Sequence, residues 1–146
     1  MYQDTITLFN RKPGERGQGD SWYPTVIRNV NLNIDRAALL AKYGENNQDN
    51  AYLGIHYKKE NGTIVVAGKP WMSPSKWDRT EDSITFTSGN DFDFFWAGEW
   101  TGGIVTDADY LDEGFYNFLN RTEDYVFAIT KVAIHTVILL IEIWGK

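Results

Sequence analysis

From Tyr125 to Trp144 the chain is almost continuously apolar, reading Tyr-Val-Phe-Ala-Ile-Thr-Lys-Val-Ala-Ile-His-Thr-Val-Ile-Leu-Leu-Ile-Glu-Ile-Trp. The stretch is long enough to suggest a membrane span. Lys131, His135 and Glu142 argue against that, because each would sit in hydrocarbon at a cost of a few kcal/mol. Its β-branched residues suit a pleated surface and lose side-chain freedom in a helix. Buried strands covered on both faces read as unbroken apolar runs. The run therefore predicts two strands, about Tyr125–Val132 and Val137–Trp144, joined by a short turn. The chain is expected to end inside its own core, with the earlier segments covering that hairpin.

The 146 residues suffice for one domain with a sizeable core, and no linker or internal repeat divides 1–146. Aromatic residues make up 15%, with 6 Trp, 8 Tyr and 8 Phe, an excess that fits a β-rich core, an oligomer interface or a ligand platform. The net charge of −6 disfavours general nucleic-acid binding. Cysteine is absent, which excludes disulfides, thiolate metal sites and cysteine nucleophiles. The opening residues Met1-Tyr2-Gln3-Asp4 carry no basic segment followed by an apolar one, so the protein is expected to be made in the cytoplasm.

Thr5–Phe9 alternates as a first strand, and Trp22–Asn33 reads as a long second one. Within the second, Trp22, Val26, Arg28, Val30 and Leu32 share one parity, and Pro24 points to an edge or bulge. Asp35 can cap a short helix at about 35–43 that Gly44 ends. Tyr52–Tyr57 and Thr63–Val66 predict a hairpin whose turn, Lys58–Gly62, contains Asn61-Gly62. Ser75–Asp78 suggests one helical turn, and Ser83–Thr87 alternates as a strand. Asp91–Trp100 forms the aromatic centre. Thr106 or Asp107 then caps a helix over about 108–120, with Leu111, Phe115, Phe118 and Leu119 as its buried stripe. The fold expected is mainly β: a small β-barrel or sandwich of about six to eight strands, with helices at about 108–120 and 35–43.

Few residues suggest chemistry. His56 and His135 lack a second histidine or carboxylate at ligand spacing and read as structural. Asp91 and Asp93 share a strand face, with Glu99 following; such a pair could serve a glycosidase or bind calcium, but it runs into Phe94-Phe95-Trp96 without the rest of an EF-hand loop, and the preferred reading is a solvated face. Gly14, Gly17 and Gly19 are not followed by Gly-Lys-Ser/Thr, so a phosphate loop is not supported. The expectation is a non-enzyme without cofactor or metal. Two features invite partners. The segment Arg11–Asp20, with Arg11, Lys12, Glu15, Arg16 and Asp20, reads equally as a mobile surface connection or as an interaction loop that orders on a partner. Trp71, Trp77, Trp96 and Trp100 are candidates for an aromatic interface or, in a carbohydrate-binding module, for stacking on sugar rings.

Asp4-Thr5-Ile6-Thr7-Leu8-Phe9-Asn10, the charged loop, and Ser21-Trp22-Tyr23-Pro24-Thr25-Val26-Ile27-Arg28-Asn29-Val30 resemble the start of small head–tail joining (head-completion, connector) proteins of tailed phages. Asp93–Trp100, Phe115-Tyr116-Asn117-Phe118 and Asp124–Val132 resemble minor structural proteins of phages of Gram-positive bacteria. The resemblance implies a small barrel acting as a virion component at the head–tail junction, assembled in the host cytoplasm. It implies a homo-oligomeric ring lying against a portal-side adaptor and tail-side proteins, with passing contact with genomic DNA in its channel and no membrane. The 35–44 helix and the 67–82 segment depart from the joining-protein pattern. They leave open whether the tier is adaptor, stopper, tail terminator or another minor capsid or tail protein.

Overall fold

The computed structural model describes residues 2–15, 19–35 and 50–146. Along the chain come β1 (Asp4–Lys12), β2 (Ser21–Ile34), β3 (Ala51–His56), β4 (Lys58–Glu60), β5 (Thr63–Val66) and β6 (Lys69–Pro70). One helical turn, α1 (Pro74–Trp77), precedes β7 (Phe94–Trp96) and β8 (Val105–Thr106). A 3₁₀ turn (Asp107–Tyr110), helix α2 (Gly114–Thr122), β9 (Val126–His135) and β10 (Leu140–Gly145) follow.

Six strands close into a barrel in the order β1–β7–β9–β10–β3–β2 and back to β1, every ladder antiparallel. The fold is therefore mainly β, and of the two expected architectures the barrel is realised. β8 extends the sheet beside β2, and β4–β5–β6 form a separate small sheet. Among the described residues no helix is long and apolar enough to cross a membrane.

Two cores explain why so many apolar residues are adjacent in sequence. Ile6, Leu8, Ile27, Val30, Leu53, Ile55, Phe95, Phe127, Ile129, Ile141 and Ile143 fill the barrel. Phe9, Trp22, Phe94, Val105, Phe115, Leu119 and Val126 form a second cluster. Successive strand residues point to opposite faces, so Leu8 enters one core and Phe9 the other, as do Phe95 and Phe94, and Phe127 and Val126. Helix α2 contributes Phe115 and Leu119, sealing the second cluster against the sheet's outer face.

Several expectations are corrected. The terminal hairpin turns at Thr136–Leu139, so β9 runs three residues past Val132 to His135, and Val137 and Ile138 are exposed rather than in a strand. The predicted 108–120 helix is split. Gly114, at φ +79°, interrupts it after the 3₁₀ turn, and Leu111 is 89% exposed instead of buried. In β2 an extra residue at Asn29 (φ +58°) shifts the register between Asp4 and Thr5, so Val30 faces the core while Arg28 faces solvent. The Asn61-Gly62 turn joins β4 to β5, whereas β3 lies in the barrel between β10 and β2. Ser83–Thr87 forms no ladder; Ile84 makes a single bridge to Trp71. The predicted 35–43 helix lies, beyond Asp35, outside the described residues.

Candidate functional site

The β1–β2 hairpin places Asn10, Lys12, Tyr23 and Thr25 along one side of a cleft. Lys12 pairs directly with Ser21, so a connection of about two to five residues would join the strands. Arg11 Nε donates to Asp20 Oδ2, and the Gly14 N–H donates to Asp20 Oδ1 at 3.1 Å. The Arg11 guanidinium lies 5.7 Å from the Trp22 ring centre, and the Lys12 ammonium 5.8 Å from that of Tyr23. Arg11 and Asp20 thus engage each other across the base of the loop. Glu15 is exposed, and Arg16 lies outside the described residues.

Beneath the loop sits Asp93, 1% exposed. Its Oδ1 accepts the Arg11 N–H at 2.8 Å, and its Oδ2 accepts Asn10 Nδ2 at 2.9 Å and the Thr87 N–H at 2.8 Å. Burial pushes this carboxyl up to about 7, against the downward pull of those donors. Asn10 Nδ2 also donates to the Thr85 carbonyl, which ties the irregular 83–93 segment to β1. Asp91, the supposed partner on the same face, is exposed, and Glu99 instead pairs with Arg28 on the surface. The three acids do not converge.

Next to Asn10 a cleft of about 670 Å³ opens between the hairpin and the segment after α1. Lys12, Tyr23 and Lys69 line it opposite Trp77, Arg79 and Glu81. Lys69 Nζ donates to Thr25 Oγ1 at 2.9 Å. Cations and carboxylates are mixed along its walls. Asp93 has both oxygens occupied by main-chain and amide donors and holds the fold together below the cleft.

The four tryptophans do not gather into one platform. Trp77 is buried, with its Nε1 donating to the Ser83 carbonyl, and Trp71 packs half-buried against the barrel core. Trp96 and Trp100 lie half-buried on the second cluster, with Trp100 edge-on to Phe9 and Phe115. A hydrogen-bonded group that the sequence did not single out lies elsewhere. On the outer face of β3, β10 and β9, Glu142 accepts Tyr52 OH at 2.6 Å and contacts His135 Nε2 at 2.6 Å. Those two bonds lower the Glu142 pKa, while burial and the same bond to Glu142 raise Tyr52 to about 12. The signal for this group was the register of the terminal hairpin, which depends on where its turn falls. Among the described residues, no group of three His, Cys, Asp or Glu is placed to hold a metal ion.

No curated protein and no solved structure matches the chain. A family model described as "Family of unknown function (DUF6751)" matches residues 1–137, and the chain belongs to that family.

Proposed function

We propose that this chain is a non-enzymatic structural subunit of a tailed-phage virion, forming a homomeric ring at the head–tail junction as an adaptor or stopper. In that position it lies between a portal-side adaptor and tail-side proteins, after assembly in the host cytoplasm. The observation that carries the reading is the β1–β2 hairpin. Its strands belong to a small closed barrel and could be joined by about two to five residues, yet a charged loop is inserted there, followed by Trp22 early in β2. That order is the one on which the resemblance to joining proteins rests. A ring subunit needs loops and surfaces for its neighbours and no reaction of its own, and its acidic charge suits a channel through which DNA slides without adhering.

The rival from another class is a carbohydrate-binding module. The burial of Trp77 and the half-burial of Trp71, Trp96 and Trp100 leave less ring surface for sugars than that reading needs. The two readings separate by experiment. Mass spectrometry of purified particles is expected to find the chain as a stoichiometric component, and a nonsense mutation in its gene to yield filled heads unjoined to tails. Labelling on isolated tails alone would instead indicate a tail terminator. Particles that lack the chain, together with retention of a glycan by a monomer, would overturn the proposal.

A further inference from the structure

Four of the six exposed large apolar residues among those described are Tyr2, Val137, Ile138 and Leu139, and they meet at one end of the barrel. Val137 is 98% exposed and Ile138 65%, at the tip of the β9–β10 hairpin. The tip is held to the body behind it. The Tyr57 N–H donates to the Leu139 carbonyl at 3.2 Å, a His56 ring nitrogen lies 3.4 Å from the same oxygen, and Tyr2 packs on His56 with ring centres 4.0 Å apart. Lys58 and Lys59 follow Tyr57 directly, both exposed and without a charged partner among the described residues. The tip is thus an apolar projection flanked by cations on a chain of net charge −6. A turn needs no such residues, since polar ones are favoured there.

The complementary surface lies toward the other end of β9. Phe115 of α2 packs on Phe94, which pairs with Ala128. From Ala128 to the end of β9 at His135 is about 23 Å of strand. Beside Phe115 is an open groove of about 700 Å³ lined by Tyr110, Leu111, Asp112, Glu113 and Asn117. Leu111 is 89% exposed there. Asp109 and Asp112 are exposed without a cation partner among the described residues, whereas Glu113 is already paired with Arg121.

We propose that the Val137–Leu139 tip of one copy seats on Leu111 in the acidic groove of the next copy, with Lys58 and Lys59 approaching Asp109 and Asp112. Two different patches toward opposite ends of one strand make a heterologous contact, which propagates head to tail and closes into a ring when the rotation allows. The inference rests on the ring reading above and identifies which surfaces build the ring.

Absence of cysteine makes the test direct. The full chain carrying both Ile138→Cys and Leu111→Cys is expected to give a ladder of covalent multimers under mild oxidation, ending at the ring size. Each single variant should stay largely monomeric on the same gel. Ile138→Asp should raise the apparent Kd of self-association by about tenfold or more, with unchanged circular dichroism. An equimolar mixture of Ile138→Asp and Leu111→Asp should stop at dimers, because it retains one intact tip and one intact groove. Absence of the ladder would overturn the proposal. So would dimers from Ile138→Cys alone, or loss of binding to anionic lipid vesicles in Ile138→Asp without any change in self-association. Failure here is distinct from failure of the functional reading: chains found in virions that give no ladder refute only this contact, and a ladder from a protein missing from virions refutes only the location.

Discussion

Arg11 and Asp20 hold each other across the base of the β1–β2 loop, and the Arg11 main-chain N–H is held from below by Asp93. The stem of the loop is therefore fixed by groups other than the loop's own tip. Replacing residues 13–20 with Asn-Gly should leave the barrel folded, since Lys12 and Ser21 already pair. Loss of the Asp20 carbonyl that accepts the Asp107 N–H should lower stability by about 1 kcal/mol. On the proposed connector role, virion assembly or DNA retention should fail, which complementation of a phage deletion would measure. Infectious, DNA-filled virions at normal yield would mean that the loop is only a tolerated insertion.

Asp93 should impose a pH dependence on stability. Its carboxyl titrates near 7 in the folded chain against an ordinary value of 3.8. Between those values the folded state binds more protons than the unfolded state, so stability falls as pH rises from about 4 to about 7 and levels off above. Asp93→Asn should remove this slope. The variant should also be less stable at every pH, because an amide nitrogen would face either the Arg11 N–H or the Asn10 and Thr87 donors. Urea midpoints across pH 4.5 to 8 would check both expectations.

Asp107 joins β2 to α2, since its Oδ1 accepts Trp22 Nε1 at 2.8 Å and the Phe115 N–H at 2.9 Å. Asp107→Ala should cost about 1–3 kcal/mol by orphaning both donors. Trp22 fluorescence should shift as the 3₁₀ turn loosens, and a spectrum and midpoint identical to the parent's would contradict this.

Phe115 is fully buried among Phe9, Phe94, Trp100 and Tyr110. Phe115→Ala should cost about 3–5 kcal/mol. Because the barrel interior is a separate cluster, far-ultraviolet dichroism should persist at temperatures where aromatic near-ultraviolet signals have already gone.

Where the sequence carried punctuation, the fold was legible. Alternation marked β1, Asn61-Gly62 marked its turn, and the β-branched terminal run marked two barrel strands. The terminal turn was placed too early, at 133–136 instead of Thr136–Leu139, because Val137, Ile138 and Leu139 carry no glycine or proline and look like strand. The continuous helix expected over 108–120 is not formed, because Gly114 has a positive φ and stands at the start of α2. Ser83–Phe86 alternate yet are buried at all four positions, since the segment bonds to the Asn10 side chain, Pro70 and Met72 instead of to a neighbouring strand. Asp93 and Asn10 are 83 residues apart, and no local pattern announces a bond across that distance. The cleft depends on contacts of the same long range.

The barrel order has a consequence for synthesis. β10 is a stave between β3 and β9, and β3 precedes it by more than eighty residues. Until Gly145 has left the ribosome tunnel, the nascent sheet keeps two open edges, and unpaired edges of this kind are where chains stick to one another. Closure through contacts so distant in sequence is intrinsically slow. Folding of this barrel is thus gated by completion of β10, and a chain released before Leu140 should be captured by chaperones or aggregate.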